Sequence, residues 1–111
     1  MEYIELIDIL AKWAGFREQG NAYYWPDGKF DFAPNFPGSL NACLGWLVPK
    51  LQKDYEIHVT WTAVVVDDTP KGWSATLFGQ TEGHLANIIE SADTAPMALC
   101  LAIKKLIEEE E

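Results

Sequence analysis

Tyr55-Glu56-Ile57-His58-Val59-Thr60-Trp61-Thr62-Ala63-Val64-Val65-Val66 is a run of strict alternation. Apolar Tyr55, Ile57, Val59, Trp61, Ala63 and Val65 are interleaved with Glu56, His58, Thr60, Thr62, Val64 and Val66. Successive side chains of a strand point to opposite faces, so a period of two predicts a strand with one face on a core. Downstream, Asp67-Asp68-Thr69-Pro70-Lys71-Gly72 reads as a polar turn. Trp73 to Gln80 reads as a second strand, with Trp73, Ala75 and Leu77 on one side and Ser74, Thr76 and Phe78 on the other. His84 to Ser91, opened by Gly83, has a pattern that suits strand or helix. Connections this short favour an antiparallel meander, because parallel crossovers need a dozen or more residues.

Helical spacing flanks this sheet on both sides. Tyr3, Leu6, Ile7, Leu10 and Trp13 form one stripe and predict a helix over Glu2–Ala14, with Gly15 just beyond its end. Ser39 is a good N-cap for a second helix, carried by Leu40, Cys43, Leu44 and Leu47 over about 40–48. Pro49, lacking an N–H, is expected to kink or end it. Thr94 can cap a third helix with Pro96 in its first turn and Met97, Cys100, Ile103 and Ile107 on the buried face. Glu108 to Glu111 lie at the negative end of its dipole, where fraying is expected.

The chain has 111 residues, enough for one domain over 1–111, and its 49% apolar and 23% charged composition is that of a globular protein. The fold class is α+β: a three-stranded antiparallel sheet plus a small hairpin, packed with three helices. Seventeen acids against eight bases give −9, which opposes binding to nucleic acid or an anionic membrane. No apolar run has the length of a membrane span, and the acidic start Met1-Glu2-Tyr3-Ile4-Glu5 does not suit a signal peptide, so a cytoplasmic location is expected. Cys43 and Cys100 each sit in an apolar pattern and read as buried thiols.

Residues 21–38 differ from the rest. Six aromatics stand beside three prolines and two glycines. Tyr23-Tyr24-Trp25 and Phe30-Asp31-Phe32 flank Pro26-Asp27-Gly28-Lys29, a tight-turn signal, so a hairpin is predicted, with an extended segment around Pro34 and Pro37. Flat rings give contact area at low entropy cost, which makes Tyr23, Tyr24, Trp25, Phe30 and Phe32 the candidate protein-binding residues, with Trp25 as anchor. Phe36 belongs to the same aromatic set. The inward rings read as a lid on the fold, and Tyr24 and Phe32 are the expected outward members.

Four stretches carry a resemblance to a known family: Asn35-Phe36-Pro37-Gly38-Ser39-Leu40-Asn41-Ala42, Tyr55-Glu56-Ile57-His58-Val59-Thr60-Trp61, Gly72-Trp73-Ser74-Ala75-Thr76-Leu77, and the Ala-rich segment Ser91 to Ala102. Over about 35–107 the chain resembles the phage ABA-sandwich domain, a group of small phage and prophage proteins. The resemblance implies an α/β/α layered sandwich and a phage origin. It brings no catalytic residues to map. The order of elements also echoes the double-stranded-RNA-binding domain. The basic start of the last helix that such domains use is here Asp93-Thr94-Ala95-Pro96-Met97-Ala98, which has no base.

Other constellations are sparse. His58, Glu56, Glu82 and His84 can form a metal site only if the first and third strands lie close, and they lack a ligand spacing such as HxH. Asp67, Asp68 and Asp93 sit where turns and caps use Asp for local hydrogen bonds. Phosphate loops, a nucleophile elbow and a Cys–His arrangement are missing from the sequence. No catalytic, cofactor or metal residue is assigned. The expected function is that of a non-enzymatic phage or prophage accessory protein that binds a host or phage protein, as monomer or homodimer. The alternatives are a small-ligand module using a pocket between hairpin and sheet, or an acidic decoy of a host DNA-binding protein, since residues 54–93 hold seven acids against Lys71 alone.

Overall fold

The computed structural model describes residues 3–81 and 84–110. Helix α1 (Tyr3–Trp13) leads into a small sheet of β1 (Arg17–Gln19), β2 (Ala22–Tyr24) and β3 (Phe30–Asp31). A 3-10 turn (Phe36–Gly38) precedes helix α2 over 40–54. The main sheet follows, with β4 (Ile57–Val66), β5 (Thr69–Thr81) and β6 (His84–Ala92), and helix α3 (Ala95–Glu110) closes the chain. Both sheets are antiparallel meanders in sequential order. The α+β class, the three-stranded main sheet and the three helices agree with the sequence.

The caps act as their residue types suggest. Ser39 Oγ accepts from the Ala42 N–H at 3.2 Å, and Thr94 Oγ1 accepts from the Met97 N–H at 3.3 Å. At the end of α1 the Gly15 N–H donates to Lys12 O and the Phe16 N–H to Ala11 O, with Gly15 at φ 102°. This paired bonding is a Schellman closure, which needs a left-handed residue at Gly15. It turns Phe16 into the core, where it is buried.

Helix α2 corrects one expectation. It does not end near 48 but runs on to Asp54, because Cys43–Leu47 form a π turn between α-helical Leu40–Ala42 and Val48–Asp54. The Val48 N–H reaches back five residues to Cys43 O, which places Pro49 in the first turn of a renewed α segment. There its missing N–H breaks nothing.

Residues 84–91, whose pattern suits strand or helix, are strand and complete the expected three. The turn before β5 corrects another expectation. The connection after β4 is a two-residue turn at Asp67 and Asp68, with φ 51° and 60°, as hairpin turns matching the strand twist require. Residues 69–72 therefore belong to β5. Val64 pairs with Gly72 and Val65 with Pro70, so Lys71 is the extra residue of a bulge. Pro70 lies beyond β6, whose last partner pair is Trp73 with Ala92, so it interrupts no second ladder. The segment around Pro37 is a 3-10 turn where extended backbone was expected. The Glu tail stays helical as far as Glu110, with Lys104 bonded to Glu108 one turn on.

Val59–Leu77–Ile88 and Trp61–Ala75–Glu90 are cross-strand rows on the helix face of the main sheet. Ile57, Leu77, Ala75 and Ile88 are buried there against Leu99, Cys100 and Ile103 of α3. Trp61 Nε1 donates to Ala95 O at 3.1 Å, tying β4 to the start of α3. Helix α1 packs on α3 and the 3-10 turn, and Trp13 Nε1 donates to Tyr55 Oη at 3.1 Å. The layers run from main sheet to α3 to α1, which corrects the α/β/α order that the resemblance implies: the opposite sheet face carries polar His58, Thr60, Thr62 and Asn87 and is exposed. Cys43 and Cys100 are buried free thiols with sulfurs 3.9 Å apart, and Cys43 also donates to Phe36 O at 3.1 Å. The bond with Cys43, and then burial, push the Cys100 thiol well above its ordinary range.

Candidate functional site

The aromatic segment is built on a sheet with one strand more than the hairpin expected. β1 adds to it through the Gly20-Asn21 turn, with Gly20 at φ 64° and Gln19 paired to Ala22. The turn of the hairpin itself is closed by the Trp25 N–H to Lys29 O at 2.7 Å, the Gly28 N–H to Trp25 O, and Asp27 Oδ1 accepting from the Lys29 N–H.

Alternation then sorts the rings. Glu18, Tyr23 and Asp31 share one face, and Arg17, Tyr24 and Phe30 the other. On the first face, Tyr23 Oη donates to Asp8 Oδ1 of α1 at 2.5 Å, and Lys12 lies 2.9 Å from Asp8 and 3.6 Å from Glu18. Burial, followed by the bond to Asp8, pushes the Tyr23 hydroxyl up. Burial alone would raise Asp8, but the hydrogen bonds from Tyr23 and Lys12 outweigh it and hold the carboxyl below its ordinary range.

On the second face, Tyr24 and Phe30 meet at 4.8 Å between ring centroids with their planes tilted by 46°, and the Arg17 guanidinium sits 5.6 Å from the Tyr24 ring. Tyr24 is 37% exposed, Phe30 53% and Phe32 69%. These three rings are available for contact. Trp25 is placed differently from the anchor role expected of it. It is half-buried against Phe16 at 5.4 Å and Trp46 at 5.5 Å, with Lys29 Nζ 4.6 Å above its ring. Its Nε1 donates to Phe32 O at 3.2 Å, which fixes the backbone that carries the outermost ring. Phe36 is buried and meets Phe16 edge-on at 6.0 Å.

Sequence reasoning missed Phe16 and Trp46, which with Trp25 form the core under the small sheet, and Arg17, which extends the exposed row. A Gly-Asn dipeptide ahead of the aromatic run was the available signal for β1. Among the other candidates, His58 is exposed and lies against Phe78 at 5.7 Å. Glu82 falls outside the described residues, and among the described residues no group of three or more possible ligands gathers around one point. The acids of 54–93 are spread out: Glu56 precedes β4, Asp67 and Asp68 form the far turn, and Glu90 lies on the helix face 3.8 Å from Lys105. A shallow open depression lies between the end of α2 and the starts of β4 and Gly79, lined by Gln52, Glu56, Ile57, His58 and Gly79, away from the small sheet.

The fold is similar to that of a phage protein from Bacillus cereus ATCC 14579 known from a 2.0 Å crystal structure. The TM-score is 0.68 at 15% identity, over 97% of this chain and 89% of that one. At that identity the likeness establishes the fold. No family model and no curated protein matches the chain. Among the described residues, no helix is long and apolar enough to cross a membrane.

Proposed function

We propose that this protein is a non-enzymatic accessory protein of phage or prophage origin that binds a protein partner through the exposed rings of its small sheet. The reading is carried by one observation: Tyr24, Phe30 and Phe32 stand outward on a sheet whose other face and whose Trp25 are locked into the fold. Exposed aromatics on a pre-ordered support lose little entropy when covered. Arg17 over Tyr24 places a cation beside the exposed rings, where it favours a partner surface carrying a carboxylate, whereas Lys29 is already 3.4 Å from Asp31. The fold likeness to a phage protein supports the origin.

Capture from a bacterial lysate with the tagged chain at low and moderate salt tests this reading. A dominant protein retained at both salts is expected, because ring burial is not screened. Loss of all binding at moderate salt would favour an acidic decoy instead.

A further inference from the structure

We propose that Cys43 and Cys100 form a redox modification site, at which a small peroxide joins the two sulfurs in the folded chain and so bonds helix α2 to helix α3. They are the chain's only cysteines and stand 57 positions apart. The sequence reads each as a separate apolar residue, yet the fold brings their sulfurs to 3.9 Å. Cys43 opens the π turn of α2, Cys100 stands in the second turn of α3, and the backbones of these segments approach within 8 Å. A disulfide is about 2.0 Å long, so the remaining gap of about 2 Å is one that rotation of the two side chains spans.

The hydrogen bonds give the two sulfurs different roles. The Cys43 thiol donates to Phe36 O at 3.1 Å, so the hydrogen between the sulfurs is the one on Cys100. That bond, and then burial, hold the proton on Cys100. A Cys43 thiolate, by contrast, has the Cys100 S–H as a donor, which makes Cys43 the attacking sulfur. Its thiolate displaces hydroxide from hydrogen peroxide, forming S–O as O–O breaks, and Cys43 becomes a sulfenic acid. The Cys100 sulfur then attacks the Cys43 sulfur: S–S forms, S–O breaks, and the hydroxyl leaves as water with the Cys100 proton. Two thiols and one peroxide give one disulfide and two waters. The sulfurs lose two electrons and the peroxide gains them.

Burial sets the timing. Both cysteines are fully buried, so oxidant reaches them only when α2 opens from α3. The new bond then closes that opening, which shuts out a bulky thiol such as glutathione. Formation is slow, and reversal in the folded chain is slower still.

Hydrogen peroxide added to the reduced, folded chain tests this, read by intact mass, peptide mapping and thermal melting. Expected are a loss of about 2 Da and a single Cys43–Cys100 cross-linked peptide. The melting temperature should rise by about 10 °C, because the link constrains an unfolded loop spanning 57 positions. Glutathione should leave the link intact in buffer and open it in urea. C100A, which keeps Cys43 and its bond to Phe36, should gain oxygen on Cys43 instead and melt no higher for it. Oxygen added to the wild type in place of the link would overturn the proposal. So would thiols that stay free in the folded chain under peroxide that oxidises the unfolded one, a linked chain that melts no higher than the reduced one, or glutathione acting as fast in buffer as in urea.

Discussion

Trp25 and Trp46 meet edge to face, with ring centroids 5.5 Å apart and planes at 87°. Together with Phe16 this contact clips the small sheet to helix α2. The consequence is a division of labour between neighbours: Trp25 holds the platform, and Tyr24, Phe30 and Phe32 face solvent.

Trp25→Ala should therefore be a stability variant before it is a binding variant. Full burial makes Trp→Ala cost about 3–5 kcal/mol, and half-burial brings the expectation to about 2 kcal/mol. Urea unfolding of the variant checks this. A midpoint unchanged from wild type would contradict the clip.

The Tyr23–Asp8 bond should shape the pH dependence of stability at both ends. Asp8 is held below the unfolded value of about 3.9, so its contribution is present above that pH and is lost as pH falls through the folded value. Tyr23 is raised above about 10, so its contribution is present below that pH and is lost as pH rises further. Tyr23→Phe should cost about 1 kcal/mol at pH 7, discounted for the partial exposure of both groups, and should flatten both limbs. A melting curve series from pH 2 to 12 that runs parallel to wild type would refute this.

Pro49 supplies a test of opposite sign to intuition. Removing a proline from a helix interior gains about 3 kcal/mol, whereas removing one from a compatible site loses about 0.4–1 kcal/mol. Since the π turn puts Pro49 in the first turn of a new segment, Pro49→Ala should lower stability slightly. A gain of about 3 kcal/mol in chemical denaturation would show that the helix is under strain there.

Gly79 sits opposite Ile57, and a Cβ built on it would meet Glu56 O at 2.6 Å and Ile57 Cα at 3.0 Å. Both are backbone atoms, so the strands must separate to admit a methyl group. Gly79→Ala should cost about 1–3 kcal/mol by thermal unfolding. Near-neutral behaviour would mean that the two strands are less closely set than described.

What was legible in the sequence was local chemistry. Ser39, Thr94 and Gly15 announced their helix ends, because caps depend on one side chain and the nearby backbone. The alternation of 55–66 announced β4 for the same reason. Arg17–Gln19 was silent: three exposed polar residues carry no period, and only the pairing with β2 makes them a strand. Pro49 misled because the five-residue bonding over Cys43–Leu47, which places the proline in a new first turn, leaves no mark in the helical spacing of the apolar residues. At the site, Tyr24 and Phe32 are outward as expected, and Phe30 joins them because it pairs with Tyr24 on one face of the small sheet. The inward role of Trp25 depended on Phe16 and Trp46, both distant from it in sequence.

The most direct measurement compares capture by the wild-type chain with capture by Y24A/F32A, after circular dichroism has shown that the two melt alike. The exposed-ring account predicts that the dominant partner retained at moderate salt disappears from the double variant. A partner held equally well by both chains, or a blank from the wild type at either salt, would contradict it.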